Sequence, residues 1–79
     1  MSLSVSELKS KVKGRKIEDI TVATLEDEVG EAHTSITIKL DNGDIIYLRS
    51  YIKGERNSFI DIRFREHASK RLYSVAYPK

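Results

Sequence analysis

The sequence contains no cysteine and only one proline among its 79 residues. Without cysteine the chain has no disulfide framework and no thiolate ligands for a metal, which suits an intracellular protein. No apolar run approaches the roughly 18 residues that a membrane-spanning helix needs. The first residues also lack the basic start and apolar core of a signal peptide. These absences together predict a cytoplasmic protein without a membrane span.

Groups that carry enzyme chemistry are also sparse. The two histidines, His33 and His67, are expected to be ordinary loop or surface residues, and no pair of ligands shows the spacing of a zinc site. The four glycines stand singly, so no phosphate-binding loop is expected. The serines lack a Gly-x-Ser-x-Gly elbow, and nothing in the pattern brings two carboxylates into one cleft. The sequence therefore predicts a protein that is not an enzyme and has no cofactor, metal site or evident small-molecule substrate.

The length of the chain predicts one small domain, residues 1–79. A domain of this size buries only about 60–65% of its unfolded surface, so oligomerisation would help to stabilise it. The formal net charge is +2, but residues 1–45 carry −3 and residues 46–79 carry +5. This asymmetry is a weak indication of an anionic partner, and a solvated basic surface is the ordinary alternative.

The clearest structural signal is a β-hairpin over Thr34–Ile52. Its first strand alternates apolar and polar residues, as in a strand with one buried face. Residues 41–43 (Asp-Asn-Gly) predict the turn, because Asn and Gly tolerate positive φ. A two-residue turn would pair Ile38 with Tyr47, whereas a three-residue turn with a bulged glycine would pair Ile38 with Ile46. Since the second register gathers the apolar residues on one face, we expect the bulged turn.

A second turn within residues 53–57 leads to a third antiparallel strand that ends near Glu66. Pairing Ile46 with Phe64 keeps the apolar residues of this strand on the apolar face of the hairpin. The same register brings together an aromatic pair and an opposite-charge pair on the other face, which supports it independently. The pairs expected on that face are Tyr51 with Phe59, Arg49 with Asp61, and Tyr47 with Arg63.

The N-terminal part predicts a helix over Ser4–Lys13. Ser4 and Glu7 have the spacing of a capping box, and Leu3 before the cap suits a hydrophobic staple. Apolar residues three and seven positions after the first give the helix one stripe for the core. Gly14 suits the position after the C-terminal cap.

The remaining segments are less regular. A strand is expected over Lys16–Leu25, with its phase left open, because Ile17 shares a face with Ile20 only if a bulge lies between them. The acidic connection Glu26–His33 is expected to be a solvated loop. Arg71–Tyr77 predicts a further strand, and a helix stays possible there.

These elements predict an α+β fold. The N-terminal helix packs on one face of a twisted, mostly antiparallel sheet of four to five strands. Closure of the sheet into a small β-barrel with an N-terminal helix is the alternative.

The sheet face away from the helix is the expected binding face. Aromatic residues and arginines form the hot spots of protein interfaces, and they also stack bases and hold phosphates. Because net charge is modest and no nucleic-acid signature is complete, a protein partner or a second copy of the chain is favoured. Single-stranded RNA or DNA is the alternative. The predicted binding face comprises Lys39, Tyr47, Arg49, Tyr51, Phe59 and Arg63, with Lys53, Arg65, Lys70 and Arg71 as peripheral basic residues.

Overall fold

A computed structural model describes residues 2–26, 32–53 and 57–76 of the chain, and it describes side chains for all of these except 25, 26, 32, 51–53 and 57–59. The central part of the predicted acidic connection, the tip of the second turn and the last residue of the predicted C-terminal strand lie outside this part. The elements are β1 (Ser2–Ser4), α1 (Val5–Val12), β2 (Ile17–Glu26), β3 (Ala32–Leu40), β4 (Ile45–Lys53), β5 (Asn57–Arg65) and β6 (Leu72–Ala76).

The strands form one mixed sheet in the order β1-β6-β5-β4-β3-β2. β1 runs parallel to β6, and all other neighbouring pairs are antiparallel. The predicted α+β class is therefore confirmed, whereas the expected number of four to five strands is wrong, since the described residues already form six. The sheet is also open, with β1 and β2 at its edges, and is not the closed barrel of the alternative.

The strand that sequence reasoning missed is β1. Leu3 pairs with Val75 of β6, and both side chains are buried. The sequence indicates Leu3 only as the apolar residue before the helix cap. The three residues of β1 are too few to show the alternation that marks a strand. The parallel pairing also joins segments near opposite ends of the chain, which local patterns do not report.

The helix begins with the predicted capping box. The backbone amide of Glu7 donates to the Oγ of Ser4 over 3.1 Å, and the amide of Ser4 donates to the Oε1 of Glu7 over 3.1 Å. Both bonds satisfy backbone donors that a helix N-terminus leaves open. Gly14 follows the cap residue Lys13 with a φ of 78°, as predicted.

Both predicted registers of the central strands are confirmed. Ile38 lies opposite Ile46, and the bulged turn places Gly43 at a φ of 89°. Between β4 and β5 the register is the expected one over its whole length, including all three predicted pairs of the face away from the helix.

The open question of the β2 phase is resolved by a bulge. The register of β2 against β3 shifts between Ile17 and Asp19. As a result Ile17 pairs with Leu40, and Ile20 pairs with Ile38. The bulge therefore puts Ile17 on the same face as Ile20, which an unbroken alternation would not do.

The core lies between α1 and the β1, β6 and β5 end of the sheet. Leu3, Phe64 and Val75 form its buried centre, and the helix packs its apolar stripe against them. We call the sheet face that carries these residues the inner face and the opposite one the outer face. No helix in the described part of the chain is long and apolar enough to cross a membrane.

Candidate functional site

The outer face carries a shallow groove of about 350 Å³. Side chains of three neighbouring strands line it, so the groove runs across the sheet. We call it the outer groove, and its lining residues are Tyr47, Arg49, Asp61, Arg63, Arg65 and Leu72.

The strand registers place these side chains side by side. Tyr47 of β4 lies opposite Arg63 of β5, and Arg65 lies opposite Leu72 of β6. Because alternate residues of a strand share a face, Arg63 and Arg65 both point to the outer side while Phe64 between them is buried on the inner side. The groove is thus a direct product of the alternation in β4 and β5.

The groove is positively charged. It contains three arginines and one carboxylate. The Nε of Arg63 donates to the Oδ2 of Asp61 over 3.0 Å, with both side chains partly exposed. The predicted alignment of Arg49 with Asp61 is correct in register. Arg63 lies two positions along from Asp61 on the same strand. The side chain of Asp61 therefore orients Arg63 within the groove.

The structure brings together part of the predicted binding face. Tyr47, Arg49 and Arg63 line the groove, and Arg65, predicted as peripheral, lies there with them. Lys39 does not line it, and its ammonium lies 3.8 Å from the Oε1 of Glu18 on the neighbouring strand β2.

Other predicted residues lie elsewhere or outside the described side chains. Tyr51 and Phe59 are paired through their backbones as expected, but their side chains, like that of Lys53, are not among those described. Lys70 sits in the connection before β6 with a φ of 58°, and Arg71 is exposed at its end.

Sequence reasoning missed Leu72 as a groove residue. Its position follows from the pairing of β6 with β5, in which Arg65 lies opposite Leu72. The sequence predicts a C-terminal strand but not its register against β5. A register for that strand would have placed an apolar side chain beside the arginines.

A buried carboxylate joins two turns at one end of the sheet. Asp44, 7% exposed, follows the turn between β3 and β4. Its Oδ1 accepts from the backbone amide of His67 over 2.9 Å, and its Oδ2 accepts from the Nδ2 of Asn42 over 2.8 Å. Both carboxylate oxygens thus accept hydrogen bonds from the protein, and the bond from His67 links the turn to the β5–β6 connection.

A second polar contact ties the helix to the same connection. The Nζ of Lys11 lies 2.8 Å from the Oε2 of Glu66 and 5.7 Å from the centre of the Tyr73 ring. The hydrogen bond from Lys11 holds the pKa of Glu66 below its ordinary value, and a bond from Ser69 acts in the same direction. The bond to Glu66 likewise raises the pKa of Lys11. Each group therefore stays charged over a wider pH range in the folded chain.

The outer groove presents groups that can bind anions. Among residues 2–26, 32–53 and 57–76 no group of three or more histidine, aspartate or glutamate side chains is placed to hold a metal ion. The polar side chains among the described residues that line the outer groove end in guanidinium groups, one phenol and one carboxylate. Guanidinium groups bind carboxylates and phosphates through paired N–H donors.

Comparison with known proteins finds no matching family model, no matching curated protein and no matching solved structure. The geometry of the outer groove is therefore the basis for a functional assignment.

Proposed function

We propose that this chain is a non-catalytic protein-interaction module whose outer groove binds an acidic segment of a protein partner. The observation that carries the proposal is that Arg49, Arg63 and Arg65 line one shallow groove together with Tyr47.

The groove has the composition of an interface hot spot. Tyrosine and arginine are among the residues most enriched where alanine substitution weakens protein complexes. The arginines that line the groove suit the carboxylates of a partner, since the planar guanidinium matches a carboxylate with two N–H donors. The ring of Tyr47 and the side chain of Leu72 supply the apolar contact that a charged surface alone lacks.

Pairing of two copies through this face is the less favourable form of the proposal. Two identical grooves facing each other would bring two sets of arginines together, and like charges in an interface are repulsive. A partner segment rich in Asp and Glu meets no such penalty. An acidic segment of another protein is therefore the favoured ligand.

Single-stranded nucleic acid is the second candidate. Tyr47 offers a flat ring beside arginines, which is the arrangement that stacks a base and holds a phosphate. The carboxylate of Asp61 in the same groove repels the phosphates of a nucleic acid and the carboxylates of a peptide alike. A protein partner is preferred because the formal net charge is only +2 and no nucleic-acid signature in the sequence is complete. The proposal also includes the cytoplasmic location predicted from the sequence.

Fluorescence anisotropy tests this proposal with two labelled probes, an Asp/Glu-rich peptide containing tyrosine and leucine and a mixed-sequence single-stranded oligonucleotide. We expect the peptide to bind, and Arg65→Ala and Arg49→Ala each to weaken binding by roughly three- to tenfold, as lost charge-assisted hydrogen bonds do. Lys9→Ala is the matched control, because it removes one exposed positive charge from the helix, outside the groove.

The control fixes the meaning of each outcome. Equal weakening by Lys9→Ala and Arg65→Ala would show non-specific charge attraction and overturn the groove as the site. Binding of the oligonucleotide but not the peptide would replace the favoured ligand with the second candidate. An absence of binding to either probe would contradict both.

A further inference from the structure

The helix covers only one end of the inner face. α1 packs on β1 and β6, and its apolar stripe reaches the buried cluster around Phe64 on β5. Beyond this cluster the inner face continues across β4, β3 and β2. The described part of the chain places no helix over those three strands.

The uncovered part is apolar. Ile20 pairs with Ile38, and Val22 pairs with Ile36, so their side chains form rows across the strands. Ile20 is 52% exposed and Val22 is 62% exposed, which is high for residues at the centre of a ten-residue strand. We call this surface the apolar strip, and its residues are Ile17, Ile20, Val22, Ile36, Ile38 and Leu48.

The strip has no charged member. Among the inner-face residues of β2, β3 and β4 whose side chains are described, the others are apolar, threonine or serine, because Asp19, Lys39 and Arg49 alternate to the outer side. A flat surface of isoleucine, valine and leucine is the kind that packs against another sheet at about 10 Å.

The exposed surface of the chain is larger than that of a compact monomer of the same mass. The chain exposes 6174 Å², whereas a compact monomer of 9.0 kDa exposes about 4,900 Å². The excess of roughly 1,300 Å² exceeds the about 800 Å² that each partner buries in a standard interface. The radius of gyration, 13.8 Å, is likewise larger than the roughly 11.6 Å of a compact chain of this length.

We propose that the apolar strip is a self-association surface, on which a second copy of the chain packs face to face as a two-layered β-sandwich. A two-fold axis between the two sheets packs the strip of one copy against the same strip of the other, as an isologous interface requires. The strip residues themselves are uncharged, so they bring no like charges together. The two helices lie at opposite ends of the sandwich, each beyond the β2 edge of the other copy. This surface is independent of the outer groove, which lies on the other side of the sheet.

Sedimentation equilibrium of the full chain over a wide concentration range tests the proposal. We expect the wild type to approach twice the monomer mass of 9.0 kDa. Val22→Lys should weaken the dimer by roughly 100-fold, because the interface would bury an unpaired ammonium. Thr21→Lys is the control, since it adds the same charge to the same exposed strand on the outer side, and it should leave the mass unchanged.

A wild type that stays monomeric at all concentrations would overturn the proposal, whatever the variants do. Equal effects of Val22→Lys and Thr21→Lys would also overturn it, because the response would then depend on charge and not on the face. Circular dichroism of each variant shows whether the sheet has formed. If Val22→Lys does not fold, Ile20→Thr provides the milder test at a neighbouring position of the strip, and we expect it to weaken the dimer by roughly tenfold.

Discussion

The ring of His67 lies against the backbone of Gly43, so that a Cβ added to Gly43 would stand 2.8 Å from the ring carbon Cγ. The backbone amide of the same histidine binds the buried carboxylate of Asp44. The turn between β3 and β4 therefore contacts the connection between β5 and β6, although the two lie far apart in the sequence.

Gly43→Ala should destabilise the fold through two effects. The φ of 89° is a conformation that alanine rarely adopts, and the added methyl group would collide with His67. We expect a loss of about 2–4 kcal/mol in the free energy of unfolding, measured by urea denaturation. Gly14→Ala is the control, because its φ is 78° but nothing lies within 4 Å of the added Cβ, and it should cost about 1 kcal/mol. Equal losses would contradict the contact with His67.

Asp44→Ala should cost about 1–3 kcal/mol of stability, because the backbone amide of His67 would lose its acceptor in a partly buried position. Asp41→Ala, three residues earlier and exposed, should change stability by less than about 0.5 kcal/mol. Thermal unfolding of both variants measures the difference. A small loss for Asp44→Ala would mean that water satisfies the amide and that the carboxylate does not hold the turns.

The ion pair of Lys11 and Glu66 predicts a pH dependence. The pKa of Glu66 is lowered in the folded chain, so its contribution to stability is present above its ordinary value of 4.5 and is lost as pH falls through the lower folded pKa. The pKa of Lys11 is raised, so its contribution is present below 10.5 and is lost as pH rises through the higher folded pKa. Both contributions are complete at neutral pH.

The test compares melting temperatures of the wild type and Glu66→Gln. We expect the wild type to melt higher at neutral pH and the difference to shrink as the pH falls well below 4.5. Glu18→Gln, which removes an exposed carboxylate 3.8 Å from Lys39, should show a smaller difference at neutral pH. A Glu66→Gln difference that stays constant into acid would contradict the role of the charged pair.

Asp61→Asn should strengthen binding of an acidic peptide. The change removes the negative charge of Asp61 from the outer groove and frees the guanidinium of Arg63 from its carboxylate partner. We expect a gain in affinity of roughly two- to fivefold, the size of a partly exposed ionic contact, measured by anisotropy at low and high salt. A loss of affinity would mean that the orientation given to Arg63 outweighs the charge.

The sequence predicts the helix and the central strands well, but it does not predict β1 or the way in which the first and last described strands pair. Alternation fixes the face of each residue in β3, β4 and β5, and the glycine of the turn fixes the offset that pairs Ile38 with Ile46. Three of the six predicted face residues, Tyr47, Arg49 and Arg63, therefore line the groove. Burial on one face is a strong constraint, because a slip of one residue would expose the whole apolar set.

Other features depend on contacts between distant segments. The pairing of Leu3 with Val75 joins the start of the chain to its last described strand, and no local pattern carries that information. The position of Leu72 in the groove depends on the register of β6. Asp44 accepts a hydrogen bond from the backbone amide of His67, 23 residues later in the chain. Seen in the sequence alone, Asp44 looks like an ordinary polar residue of a turn.

The central claim is that the outer groove is the binding site, and chemical-shift mapping tests it most directly. The backbone amide spectrum of the ¹⁵N-labelled chain is recorded while an unlabelled Asp/Glu-rich peptide is added. We predict that the largest shifts fall on Tyr47, Arg63 and Arg65, while Val22 and Ile36 on the inner face of β2 and β3 stay unchanged. Shifts centred on Val22 and Ile36, or no shifts at all, would contradict the claim.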